Sequence, residues 1–221
     1  QDEIVGAVFK TTGKRVSLIG AGRTDAGVHA LGQVANFHIT HDLEPARYRE
    51  ALNYYLPDDI RIWDAVESHP EFHARYDARF RRYRYLIGEA ASALYRHQRW
   101  HQPGLDLSEL REAAKHIVGE HDFSAFCVVS SRKEDNRCRI DHSQWRQIGP
   151  LLVYEIRGNR FLHSMVRSLV GAMANLARRE QDRNPRNLTL GRFKDILIAP
   201  GEERNVFTAP AHGLYLVSVG Y

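Results

Sequence analysis

A chain of 221 residues, 43% apolar and 26% charged, is long enough to bury a real hydrophobic core as one large domain or two small ones. No apolar run approaches a membrane span, and the opening Gln1-Asp2-Glu3-Ile4 does not read as a signal peptide, so membrane-embedded and secreted classes are disfavoured. The net charge of +4 hides a bias: 26 Arg and 5 Lys make up the 31 basic residues. Arginine forks onto phosphate and stacks on bases, which leans towards nucleic acid, although a GC-rich genome gives the same bias. Two cysteines, Cys127 and Cys138, suit a reducing cytoplasm better than a disulfide framework.

In chain order, Ile4, Val5, Val8 and Phe9 have helical spacing, and Thr11-Thr12-Gly13 ends that helix. Two β-type runs, 15–19 and 33–39, flank the glycine-rich stretch Gly-Ala-Gly-Arg-Thr-Asp-Ala-Gly-Val-His-Ala at 20–30. Asp25 lies mid-loop with Arg23 two residues away. A loop fixed between strands is a good place for a reactive group. Composition alone reads the stretch as a turn with Asp25 capping its own backbone, and its spacing fits neither a Walker loop nor a dinucleotide fingerprint. Residues 45–55 form a helix with Tyr48, Ala51, Leu52 and Tyr55 on one face, and Pro57-Asp58-Asp59 turns the chain into a strand near 60–66.

The segment 72–86 is the most RNA-like. Arg75, Arg79, Arg81, Arg82 and Arg84 face one acid, Asp77, with Tyr76, Phe80, Tyr83 and Tyr85 interleaved. Alternation puts Arg82, Arg84 and Leu86 on one face of a strand and Tyr83 and Tyr85 on the other. A charged, protected strand edge has this pattern, and so does a groove for single-stranded nucleic acid; the interleaved rings favour the groove. An amphipathic helix follows at 107–118, capped by Ser108 and stopped by Gly119. Residues 130–139 read as a loop that reaches RNA, 140–148 and 151–157 as strands joined at Gly149-Pro150, 178–187 as a loop and 190–197 as a short helix. The stretch 161–176 opens a helix at Phe161 with Leu162, Met165, Val166, Leu169, Val170, Met173 and Leu176 on its core face, interrupted by Arg167.

The pattern implies an α+β fold of two similar halves sharing one sheet, with the periodicity lapsing at 88–104, hence halves 1–95 and 96–221. A metal centre built on Cys127, Cys138 and His142 is a weak reading, because Cys-x10-Cys-x3-His is not a recurrent zinc spacing.

The unbroken run Gly22-Arg-Thr-Asp-Ala-Gly-Val-His29 resembles the catalytic motif of the TruA family of tRNA pseudouridine synthases. Phe72-His73-Ala74-Arg75, Arg82-Tyr83-Arg84-Tyr85, His121–Phe126, Phe161-Leu162-x-x-Met165-Val166-Arg167 and Gly213-Leu214-Tyr215-Leu216 resemble further family stretches, in order, with His163 and Ser164 in the two variable places. The resemblance implies the pseudouridine synthase fold: two ferredoxin-like halves, a mostly antiparallel sheet and an active-site cleft between the halves. It implies isomerisation of uridine to pseudouridine at positions 38, 39 and 40 of the tRNA anticodon stem-loop, with the base flipped out and no cofactor or metal. Asp25 would be the nucleophile, attacking either ribose C1′ or base C6. Tyr83 would pack on the base and Arg167 would pair with Asp25. Arg23 and Val166 would also serve the substrate, and Arg75, Arg79, Arg81, Arg82 and His29 would bind RNA. A cytoplasmic homodimer with a basic cleft spanning both subunits is the implied assembly. An inactive RNA-binding module would keep the basic strand but has no need of Asp25. Family members usually open with a strand, a Tyr-Asp-Gly-type loop and a Gly-Trp-Gln stretch ahead of the helix found here at Gln1, so a polypeptide starting at Gln1 is expected to aggregate or act poorly.

Overall fold

The computed structural model describes residues 1–40, 43–179, 188–198 and 207–221. Most of the expected loop at 178–187 lies outside the described residues. The chain forms two compact units that interleave in sequence, one of residues 1–22 and 34–77, the other of 23–33 and 78–221.

In the first unit, helix α1 (Asp2–Thr12) carries Asp2 and Glu3 in its first turn and Lys10 in its last, charges that match the helix dipole. Gly13 closes it in the left-handed region, its N–H on the Phe9 carbonyl. Helix α2 (Pro45–Tyr55) starts on a proline and stops before Pro57. Ala7, Val8, Leu52 and Leu56 form the centre of this unit's core, with Ile4, Val16, Phe37, Ile39, Ile60 and Ile62 packed round them. The strands expected at 15–19 and 33–39 shrink to a two-residue ladder, β1 (Ile19–Gly20) against β3 (Ala35–Asn36). The strand expected near 60–66 does not form. The side-chain amide of Asn53 takes both backbone groups of Ile62 instead, at 2.7 and 2.8 Å, so a local bond replaces a ladder. The alternating isoleucines there record packing, not pairing.

The second unit is built on a seven-stranded, mostly antiparallel sheet. Its strands are β2 (His29–Ala30), β4 (Phe80–Gly88), β5 (Trp100–His101), β6 (Gly119–Asp122), β7 (Arg137–Ile148), β8 (Leu151–Gly158) and β9 (Leu214–Gly220). The order is β2-β9-β4-β8-β7-β6, with β5 beside β4. The mixed α+β expectation holds. Gly149 turns the β7–β8 hairpin with φ 55°. Helix α3 (Leu107–Lys115) is capped by Asp106, which accepts from the Ser108 and Glu109 amides. The capping residue is therefore not Ser108, because the Asp106 carboxylate reaches both orphan donors first.

Helix α4 (Met165–Leu176) is buried on nearly every side, and α5 (Leu190–Ile198) adds Phe193, Ile196 and Leu197 to the same core. Tyr83, Tyr85 and Ile87 of β4, and Leu152, Tyr154 and Ile156 of β8, belong to the core formed with α3 and α4. Trp145 stacks on Tyr154 with centroids 4.9 Å apart and donates its indole N–H to Met173 Sδ. Each such large side chain contributes about 1.5–3 kcal/mol of burial. Among the described residues no helix is long and apolar enough to cross a membrane.

Candidate active site

Asp25 reaches its position through a turn and a strand. The Val28 amide donates to the Asp25 carbonyl, and Gly27 takes φ 81° inside that turn, a conformation that favours glycine. The chain then runs into β2, parallel to β9 with His29 opposite Tyr215. Leu31 and Gly32 donate on to the Leu216 carbonyl. A Cβ at Gly32 would sit 2.5 Å from the Val217 carbonyl oxygen, so only glycine lets the loop lie this close to β9. The expected loop thus ends inside the sheet: its last two residues are a strand.

Arg167 comes from the first turn of α4. Its Nη1 donates to Asp25 Oδ2 at 2.5 Å, and its Nε donates to the Ala209 carbonyl at 2.9 Å. Ser164 Oγ donates to the same Asp25 Oδ2 at 2.6 Å. His163 Nε2 lies 3.2 Å from the other oxygen, Oδ1. The helix opens at Met165, not at Phe161, because Ser164 sits in the left-handed region with φ 58° and breaks the run.

The Asp25 side chain is 17% exposed. Burial pushes its carboxyl up, but the Ser164 and Arg167 hydrogen bonds, with the Arg167 and His163 charges, outweigh burial and leave it below its ordinary value. Asp25 is therefore an anion held still and partly dry, which is what a nucleophilic carboxylate needs.

Tyr83 is buried on β4, edge-on to Phe161 at 5.1 Å. Burial pushes its hydroxyl up to about 12, with Arg81 lowering it and Asp25 raising it, so the ring lies within electrostatic reach of the carboxylate. Arg23 is exposed on the Asp25 loop. Val166 is 4% exposed and belongs to the core. His29 stacks on Tyr215 at 4.7 Å and bonds the His97 carbonyl at 2.7 Å, so its ring already has partners within the fold.

The basic strand divides. Arg79 is exposed in the second unit, and Arg75 is exposed in the first, its guanidinium over the Tyr76 ring. Arg81 donates to the Ala78 and Asn159 carbonyls. Arg82 and Arg84 both bind Glu155 Oε1, at 2.9 and 2.7 Å. Glu155, directly across the ladder from Arg84, is the acid that a reading confined to one segment missed. The contacts of Ser164 and His163 were missed as well. They occupy the variable places of the motif, and their only signal was standing three and four residues before Arg167.

Cys127 and Cys138 are free, buried thiols, and burial pushes Cys138 up to about 11. Among the described residues no group of three or more His, Cys, Asp or Glu is placed to hold a metal ion.

Residues 2–77 and 113–221 match the family model of the tRNA pseudouridine synthases. The chain is similar to the tRNA pseudouridine synthase A of Acetivibrio thermocellus, 43% identical over 100% of this chain and 89% of the relative. It is 40% identical to that of Shouchella clausii, over 95% of this chain and 78% of the relative. With that of Brachyspira hyodysenteriae the identity is 37%, over 97% and 86%. A family model that matches most of the chain, and relatives 37–43% identical over nearly all of it, carry the conclusion that the chain belongs to the tRNA pseudouridine synthase A family.

Proposed function

We propose that this chain isomerises uridine to pseudouridine at positions 38, 39 and 40 of the tRNA anticodon stem-loop, with Asp25 as nucleophile. The observation that carries the reading is the Asp25 carboxylate, ionised and fixed by Arg167 from a helix 142 residues away in sequence. The reaction breaks the N1–C1′ bond and makes a C5–C1′ bond; N1 gains a proton and C5 loses one, so no electron leaves the system. Asp25 attacks either C1′, holding the ribose while the released uracil turns over, or C6, holding the uracil itself while it turns. Tyr83, on β4, would pack on the base. The target nucleotide must leave its stack to reach the carboxylate, and Arg23, on the same loop, would hold it or fill its place.

Of the four arginines expected to bind RNA, Arg79 and Arg75 are the exposed ones and would reach phosphate. We further propose a cytoplasmic homodimer, in which two copies pool their arginine-rich segments for one tRNA. The modest net charge and the two free cysteines support this reading.

The test uses tRNA transcripts labelled with tritium at uridine C5. Release is expected when uridine stands at 38, 39 or 40 and is lost when all three are cytidine. Undiminished release from the all-cytidine transcript would move the target elsewhere.

A further inference from the structure

Ser164 is, among the described residues, the only non-glycine residue at positive φ. A serine there carries strain that surrounding structure must hold in place. It stands at the N-cap of α4, where a serine oxygen ordinarily accepts from an amide of the first turn. Here it makes no such cap. Its hydroxyl donates to Asp25 Oδ2 at 2.6 Å instead. The helix thus forgoes a cap and keeps an uncomfortable backbone, and what both sacrifices obtain is one hydrogen bond to the carboxylate.

Arg167, three residues on, binds the same oxygen. Two donors from one helical turn therefore clamp Oδ2, while the loop bearing Asp25 is pinned separately to β9. Oδ1 is left facing His163, whose side chain is 54% exposed and has solvent to move into when a base enters.

On the reading of Asp25 as nucleophile, we propose that Ser164 is a positioning residue: its left-handed backbone and hydroxyl fix the Asp25 carboxylate so that Oδ2 is anchored and Oδ1 is the attacking oxygen. The groups that face Asp25 are Ser164 and His163 before α4, Arg167 on α4 and, at electrostatic range, Tyr83 on β4. Removing the hydroxyl leaves burial, which raises the carboxyl, less opposed. The acid limb of the rate profile must then move to higher pH.

The experiment measures tritium release from uridine-labelled tRNA against pH for the parent, S164A, S164G and D25N, with melting curves for each. S164A is expected to lose turnover by about ten- to hundredfold, the range for a hydrogen bond to a charged group, and to show the shifted acid limb. S164G lacks the same hydroxyl but relieves the strain. It is expected to melt no lower than the parent while losing comparable turnover, so it serves even if S164A folds poorly. If D25N is inactive while a folded S164A or S164G keeps both the parent rate and the parent acid limb, Ser164 does not position the nucleophile. If D25N itself turns over at the parent rate, the reading beneath it fails instead.

Discussion

Arg167 joins Asp25 to the chain's far end: one nitrogen of its guanidinium holds the carboxylate and another holds the carbonyl of Ala209. Ala209 returns the bond, its amide donating to the Arg167 carbonyl at 3.0 Å. The arginine is thus fixed on both sides before any substrate arrives. Removing only the arginine leaves a partly buried charge with one fewer partner, which costs more than the pair contributes.

Arg167→Lys is expected to lose at least tenfold in turnover, because a point charge cannot span Asp25 and Ala209 as the planar fork does. Arg167→Ala should lose more, and its acid limb should move to higher pH. Turnover assays across pH check this; full activity in both variants would make Arg167 a bystander.

Asp25 should also leave a mark on stability. Its folded carboxyl lies below the ordinary 3.8. A group depressed on folding contributes stability above its unfolded value, and the contribution fades as pH falls through the folded value. The urea midpoint of Asp25→Asn should therefore lie below the parent's at neutral pH, and the gap should narrow as pH falls below about 4. A gap that is constant with pH would mean the carboxylate gains nothing from its partners.

Glu155 is the acid shared by two arginines, and its side chain is 10% exposed while Arg82 and Arg84 are about 40% exposed. Glu155→Gln keeps the shape and removes the charge. With the arginines partly screened by water, the expected loss is about 1–2 kcal/mol, read from urea unfolding. An unchanged midpoint would show the trio to be a surface pairing of no consequence.

The same trio separates the arginines by role. Arg79→Ala is expected to weaken tRNA binding and to reduce the salt slope by about 0.7–0.9 for each phosphate that the side chain neutralises in the parent. Arg82→Ala should change the slope less, because its guanidinium is already paired with Glu155. Dissociation constants over a range of salt decide it, and equal slopes for Arg79→Ala and the parent would remove Arg79 from the interface.

How legible was all this in the sequence? Periodicity located helices at 2–12 and 45–55 within a residue or two, and alternation around Tyr83 assigned both faces of β4. Local spacing suffices there, because one buried face sets the pattern. It failed where a side chain took over a backbone bond, as Asn53 does for Ile62. It failed again where partners are far apart in sequence: nothing local announces that Glu155 meets Arg84. The Asp25–Arg167 pair came from the family resemblance, not from spacing. Ser164 was hidden for a further reason. Its value lies in a backbone conformation that no residue type declares, least of all a serine.

The central claim is that Asp25 does the chemistry, and single-turnover tritium release measures it most directly. With enzyme in excess over tRNA labelled at uridine C5, the parent should release the label from positions 38–40. Asp25→Asn, which keeps the side-chain shape but not the charge, should bind the same tRNA and release none. Release by a folded Asp25→Asn within tenfold of the parent rate would contradict the account.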